Sequence, residues 1–446
     1  MINKRSAISS QHLNPPLPPL LKGGEGGLFT KGGRGGIISD SGFTLVELMI
    51  TMVIFVLVIA TASGVFTGLL TQFKQQSKIA ETNIEGIVGL EILRQDIGHA
   101  GYGLPWNLMG VTDSDSDGDY WEHLTNYNEA ISAGSPNPAN FNDGNPASAL
   151  PIPANIQRAP RAILSENNTA FNGSDYLVIK SLTVSTNHAA GKWQPIRAGN
   201  SSLMKTWWSQ VNEYVCRNDR GDHYEATRVI VISPGTTAAS RRSLIVSGGN
   251  FFTGADNYSV LTNFAAPAGD PEVRIMYGVD HDTNLRMPFN RADYYISIPA
   301  TNMPQRCAPN TGILYKATVN HADGLLNELP LLDCAADIQV DFWLDTDGDG
   351  TINWPPSDNI SALTAQQIRE QVKEVRVYIL AHEGQKDINY DFSMGSTREF
   401  LSAIEVLDTN SRTINFVNLK TLIGNPEYKY YRWKVYTIVV KLMNLG

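Results

Sequence analysis

The 446-residue chain has only three cysteines, Cys216, Cys307 and Cys334. This number excludes a scaffold built from many disulfides, so burial of apolar side chains must supply most of the stability. Basic residues are also in the minority, with 35 Lys and Arg against 44 Asp and Glu and a net charge of −9. This balance argues against a general binder of phosphate backbones, and we expect no nucleic-acid partner.

Sequence motifs of the common catalytic centres are missing as well. The chain contains no G-x-S-x-G, no H-E-x-x-H and no P-loop, and its eight histidines are scattered. These motifs carry the nucleophiles, metal ligands and phosphate cradles of large enzyme classes. The sequence therefore predicts a protein that is not an enzyme.

Long apolar runs are limited to one segment, residues 43–70, which reads FTLVELMITMVIFVLVIATASGVFTGLL. A helix of this length is about 42 Å long and exceeds the roughly 30 Å hydrocarbon core of a bilayer. We therefore predict one membrane span. Residues 1–42 carry five basic and two acidic side chains, whereas the rest of the chain is acidic. The positive-inside rule then predicts a cytoplasmic N-terminus, with the large C-terminal part on the opposite side.

Glu47 is the single ionisable residue of the apolar segment. A carboxylate at mid-bilayer costs about 2.5–3.5 kcal/mol on insertion scales, so its presence predicts a cationic partner. The surrounding residues, Gly42-Phe-Thr-Leu-Val-Glu-Leu-Met49, resemble the processing site of type IV prepilins and pseudopilins. The resemblance implies that a membrane peptidase cuts between Gly42 and Phe43 and N-methylates Phe43. It also implies that Glu47 neutralises the terminal amine of a neighbouring subunit during assembly.

The resemblance and the hydrophobic pattern together predict an α+β, pilin-like fold. Residues 1–42, which include the low-complexity repeats KGGEGG and KGGRGG, are expected to be a disordered leader that is removed. A mis-assigned start codon or a translated repeat element is the alternative origin of this segment. Residues 43–98 are expected to form one long helix, with a transmembrane half at 43–70 and an amphipathic half carrying Ile87, Leu90, Leu93 and Ile97. This helix should pack on a large, mostly antiparallel β head. We divide the head into a loop-rich and β region at 99–300 and a C-terminal β part at 301–446.

The C-terminal part resembles the PilW-type minor pilins. The similar segments are Gly312–Lys316, Leu331–Val340, Asp345–Gly350, Lys373–Leu380 and Tyr431–Lys434. The resemblance implies a component that primes type IV pilus assembly with other minor pilins and sits at the pilus tip. The implied partners are minor and major pilins, the prepilin peptidase and the inner-membrane assembly platform. It implies an inner-membrane protein with a periplasmic head that enters a cell-surface pilus after processing.

Two acidic runs predict calcium sites. Asp345, Asp347, Asp349 and Gly350 give the D-x-D-x-D-G opening of a calcium loop, and Asn353 occupies its ninth position. Pro356 replaces the glutamate of the twelfth position, so the pattern favours a looser calcium turn over an EF-hand. The second run comprises Asp113, Asp115, Asp117 and Asp119. Solvated Asp/Gly turns remain the alternative at both places.

An outward-facing head folds in an oxidising compartment, where thiols pair. Three cysteines allow three single bridges. We favour Cys307–Cys334, because both residues flank the strand at 313–319 and lie in the PilW-like part. Cys216 is then left over.

Two further functions stay open beside the minor pilin. A J-type pseudopilin of type II secretion has the same N-terminus and a smaller head. A calcium-dependent adhesin presented on a pilus would use residues 105–300 to bind its ligand.

Overall fold

A computed structural model describes much of the chain from Thr44 onward. The described residues are 44–109, 124, 127–134, 136–143, 159–197, 227–235, 241–255, 263–299, 301, 303–392, 404–405, 413–414 and 416–443. They fall into two compact units, one ending at Gly68 and one running from Leu69 to Gly446. Predicted sites that lie outside the described residues are Gly42, Phe43, Asp113, Asp115, Asp117, Asp119 and Cys216.

The described residues form one long N-terminal helix, followed mostly by β-strands and two short helices. The helices are α1 (Leu45–Gly98), α2 (Ala365–Gln371) and α3 (Leu419–Ile423). The strands are β1 (Asn107–Met109), β2 (Ile163–Glu166), β3 (Tyr176–Ser181), β4 (Trp193–Arg197), β5 (Arg228–Ser233), β6 (Ser243–Ile245), β7 (Thr253–Gly254), β8 (Val273–Asp280), β9 (Asn290–Ser297), β10 (Gly312–Val319), β11 (Leu326–Leu344), β12 (Val372–Glu383), β13 (Ile404–Glu405), β14 (Thr413–Ile414) and β15 (Arg432–Lys441). Short 3-10 helices occur at Pro138–Phe141, Phe171–Gly173 and Glu427–Tyr430.

The main sheet has seven strands in the order β15-β12-β11-β10-β9-β3-β2. All neighbouring pairs are antiparallel. This is the α+β arrangement with a large antiparallel head that the sequence predicted. The sheet runs across the division that we predicted near residue 300, because β9 from the earlier region pairs with β10 from the later one. The two regions therefore share one sheet.

A second sheet, in the order β1-β6-β5-β8-β4 with β7 beside β5, lies largely within one excursion of the chain. The excursion, residues 182–289, leaves the main sheet at the end of β3 and returns at the start of β9. These two ends are neighbours, since Ser181 pairs with Asn290. Ile230, Ile232 and Leu244 of this second sheet join the same apolar core as the main sheet.

The C-terminal half of α1 packs against the main sheet within the second unit. Leu90, Leu93 and Ile97 are buried there, as the periodicity predicted. Ile87 is 58% exposed, so its place on the buried face was predicted wrongly. Gly89 faces the sheet instead, and a Cβ at this position would lie 2.1 Å from the carbonyl oxygen of Leu331. The close approach of helix and strand therefore requires glycine.

Candidate functional site

The N-terminus of α1 is built by a short capping motif. Thr44 precedes the helix, and its backbone N–H and Oγ1 both donate to Oε2 of Glu47, at 3.0 and 3.1 Å. The backbone N–H of Glu47 donates back to Thr44 Oγ1 at 3.3 Å. This reciprocal pattern is a capping box, which the sequence T-L-V-E encodes locally. Glu47 is thus held in the first helical turn, next to the position where the prepilin resemblance predicts the new N-terminus.

The helix that follows is apolar and uncovered. The stretch Leu45–Ala80 is strongly apolar, and none of its most apolar part is buried within the described residues. In the described part of the chain this is the one helix that is long and apolar enough to cross a membrane. Apolar surface of this extent is covered by lipid or by other proteins in a stable state. The helix therefore fits membrane anchoring.

The loop after β11 brings the predicted acidic ligands together. Asp345 is buried, and its two carboxylate oxygens accept the N–H groups of Gly348 at 2.8 Å and Gly350 at 3.1 Å. Both glycines have left-handed backbones, with φ of +75° and +87°, which explains why this sharp turn contains glycine. One carboxylate oxygen of each of Asp345, Asp347 and Asp349 lies within 4.8 Å of the other two. Such a set of hard oxygen donors fits a calcium ion.

Asn353, Lys373 and Thr351 lie next to the three carboxylates of the loop. The amide oxygen of Asn353 accepts from the N–H and hydroxyl of Thr346, at 2.5 and 2.9 Å, and its Nδ2 faces Asp347. In this arrangement Asn353 braces the turn and its oxygen does not face the carboxylates. Lys373 Nζ lies 3.8 Å from Asp345 and supplies one nearby positive charge. Hydrogen bonds from Thr351 lower the pKa of the exposed Asp349, which keeps this carboxylate ionised.

Cys307 and Cys334 form a disulfide between the turn before β10 and the middle of β11, with a Cα–Cα distance of 4.8 Å. His382 packs beside it, and its Nε2 accepts the N–H of Ala308 at 2.8 Å. The ring also contacts Tyr431 and Trp433. Burial lowers the pKa of His382 to about 3, so the ring stays neutral and holds the disulfide-bearing turn as an acceptor.

A buried network of charges in the head was missed by the sequence reasoning. Six side chains take part, each no more than 1% exposed: Glu129, Asp143, Arg161, Lys180, Arg291 and Asp293. Lys180 Nζ lies 2.8 Å from Glu129 and 2.7 Å from Asp143. Burial alone would raise the pKa of Asp143, but the Arg161 and Lys180 cations outweigh it and lower the value to about 2. The network fastens the segment 127–143 onto β3 and β9.

The sequence feature that could have predicted this network is the pair of charges at alternate positions of β9. Arg291 and Asp293 occupy one face of the strand, and Arg291 reaches both Asp293 at 2.7 Å and Glu129 at 3.1 Å. The intervening Ala292 and Tyr294 lie in the apolar core. Charges at alternate positions of a buried strand require partners from another segment. The sequence did not identify that segment as residues 127–143.

The five C-terminal segments at 312–316, 331–340, 345–350, 373–380 and 431–434 lie in the half of the main sheet that ends at β15. They contribute to β10, β11, β12 and β15, which are consecutive neighbours, and to the acidic loop after β11. These segments therefore belong to one contiguous, four-stranded part of the main sheet.

Comparison with known proteins gives one match. The family described as the prokaryotic N-terminal methylation motif matches residues 39–63. No curated protein and no solved structure shows significant similarity to the chain. The match supports a type IV pilin-like prepilin, of the pilin or pseudopilin type, which in general interacts with other pilins and with a prepilin peptidase.

Proposed function

We propose that the chain is a PilW-type minor pilin that primes type IV pilus assembly together with other minor pilins and sits at the tip. The methylation motif at residues 39–63 carries this proposal. The apolar helix, the antiparallel head and the contiguous PilW-like strands support it. The role is assembly through docking and not catalysis.

The proposed mechanism begins with cleavage between Gly42 and Phe43 and N-methylation of Phe43. The new amine is then one residue away from Thr44, whose N–H already contacts Glu47. In the membrane the Glu47 carboxylate is matched by the terminal amine of an adjacent subunit, because a charge pair in an apolar medium is far more favourable than either charge alone. The N-terminus is cytoplasmic before cleavage and the head is periplasmic.

Mass spectrometry and a pair of Glu47 variants test the proposal. The mature protein should begin with methylated Phe43, and a chain that still starts at Met1 would contradict processing. Glu47→Ala removes both the charge and the capping box, whereas Glu47→Gln keeps a side chain that can cap and removes the charge. Both variants should be cleaved normally and fail to enter filaments. Glu91→Gln, on the same helix, removes an exposed pair with Arg94 and should assemble normally.

Normal piliation by Glu47→Gln would refute the charge-pairing role. Deletion of the gene distinguishes a component of the type IV pilus from a component of type II secretion. Loss of surface pili supports the minor pilin, whereas loss of secreted proteins with pili intact supports the J-type pseudopilin of type II secretion.

The three clustered carboxylates at Asp345, Asp347 and Asp349 favour a second candidate function. Under this proposal the head binds calcium and acts as a calcium-dependent adhesin on the pilus. Cell attachment that disappears with chelator, and that Asp347→Ala also removes, would support adhesion. Attachment that is unchanged by chelator would exclude it.

A further inference from the structure

A tryptophan in the head is surrounded by three arginines. The guanidinium carbons of Arg241, Arg242 and Arg369 lie 4.6, 5.2 and 4.8 Å from the centre of the Trp106 ring. All three distances are within the range of cation–π attraction. The side chains come from three separate parts of the chain: the segment before β1, the turn before β6, and α2. The fold therefore assembles the cluster, which we call the arginine cluster.

The backbone around the arginine cluster is fixed by hydrogen bonds. The N–H of Trp106 donates to the carbonyl of Arg242 at 2.9 Å, and the N–H of Arg242 donates to the carbonyl of Pro234 at 3.2 Å. Arg242 has φ of +51°, a left-handed conformation that a long side chain rarely adopts. Helix α2 is held by a capping box between Thr364 and Gln367. These constraints keep the guanidinium groups near one ring despite their mutual repulsion.

Within the part of the chain that the structure describes, the positive charge of the arginine cluster is not balanced by ion pairs. Among the described residues, no carboxylate forms an ion pair with Arg241, Arg242 or Arg369. By contrast, the buried Arg161 is paired with Asp143, and the buried Arg291 is paired with Glu129 and Asp293. Glu370 is adjacent to Arg369 in sequence, and its carboxylate accepts from Gln366 at the surface. Burial lowers the pKa of Arg369 to about 10 and lowers that of Arg242, which shows that both cations are partly desolvated. Arg241 is exposed and gives access from solvent.

We propose that the arginine cluster binds one phosphate- or sulfate-type oxyanion, either free or as an ester on a larger molecule. Guanidinium groups present paired N–H donors that match the oxygens of such anions. Cation–π contacts with Trp106 hold the three guanidinium groups close together before the anion arrives. The Trp106 ring already contacts the three arginines, so we do not expect it to stack on a nucleobase. The acidic net charge of the chain favours a single anionic group over a polyanion.

Titration of the full chain in detergent with inorganic phosphate, in a buffer free of other oxyanions, tests the proposal. Calorimetry should show saturable binding, and sulfate should compete. Arg242→Gln and Arg369→Gln should each weaken binding at least about tenfold, because each removes charge-assisted hydrogen bonds. Arg241→Gln should weaken binding in the same direction, and its exposed position avoids unfolding.

Arg376→Gln is the matched control. Arg376 also lies over a tryptophan, 3.9 Å from the centre of the Trp343 ring, but it is paired with Glu374 at 2.6 Å. This variant should bind phosphate like the parent chain. Phosphoserine, a single phosphate monoester, distinguishes the two sources: displacement of inorganic phosphate by phosphoserine would assign the ester, and failure to displace it would assign the free anion. Absence of saturable phosphate binding, or equal binding by Arg241→Gln and the parent chain, would overturn the proposal.

Discussion

Replacing Lys180 with methionine tests the buried network of charges. Lys180 lies between two carboxylates, Glu129 and Asp143, at 2.8 and 2.7 Å, and its side chain is fully buried. Methionine fills a similar volume but leaves the network with two cations against three anions. Breaking a buried ion pair by removing one partner costs about 3–5 kcal/mol. For a unit of this size that loss lowers the melting temperature by about 6–10 °C, at about 2 °C per kcal/mol.

Urea unfolding of the full chain in detergent, followed by tryptophan fluorescence, measures the loss. The deficit should shrink as the pH is lowered from 7 to 5, because the pKa of Asp143 rises once Lys180 is absent and protonation then removes the unmatched charge. Lys386→Met is the control, since the Lys386–Glu427 pair is exposed and should contribute little. A Lys180→Met variant within about 1 kcal/mol of the parent chain would refute a stabilising role for the network.

Three further predictions address other parts of the head. Millimolar calcium should raise the melting temperature of the full chain, and Asp347→Ala should remove most of that rise; an unchanged melt would count against a site in the loop after β11. Burial raises the pKa of Asp175 and of Asp337 to about 7, so their contribution to stability is present at acid pH and is lost as the pH rises through 7. Asp337→Asn should therefore gain about 2 kcal/mol relative to the parent chain between pH 5.5 and 8 in urea unfolding, and a constant difference would contradict the assignment. Gly89→Ala should lower the melting temperature because its Cβ meets the Leu331 carbonyl, whereas Gly64→Ala has open space and should not.

The secondary structure of the head could be predicted well from local patterns. The sequence predicts strands from nine β-favouring runs, and each run overlaps an observed strand, because alternation and β-branched residues are local properties. The runs are residues 176–179, 229–232, 243–246, 273–277, 294–298, 313–319, 338–344, 375–380 and 431–440. The end of α1 at Gly98 was predicted for a similar reason, since Gly101 and Gly103 follow with left-handed backbones.

Sheet order and burial depended on contacts that no local pattern contains. Along β15 the sequence places Trp433, Val435 and Val439 on one face. In the structure Trp433 is buried on that face, whereas Val439 is 50% exposed and Tyr436 and Val440 are buried on the other. Different elements cover the two ends of the strand, so the buried side changes along it. The predicted division of the head near residue 300 likewise says nothing about strand pairing, which continues across it from β9 to β10.

The candidate functional residues also differ in whether a local motif could identify them. Glu47 and the acidic residues of the loop after β11 could be predicted as candidate site residues, because each motif spans only a few consecutive residues. The arginine cluster was not found, because Trp106, Arg242 and Arg369 meet only after folding.

The excursion between β3 and β9 has a consequence for how this head can change during evolution. Its two ends are opposite each other at Ser181 and Asn290, so residues inserted into its loops leave the path of the flanking strands unaltered. The entropic cost of lengthening a closed loop grows only with the logarithm of its length. Related chains can therefore differ greatly in size at this one point while the strands that carry the PilW-like segments keep their neighbours. Length differences among relatives should concentrate between residues 182 and 289.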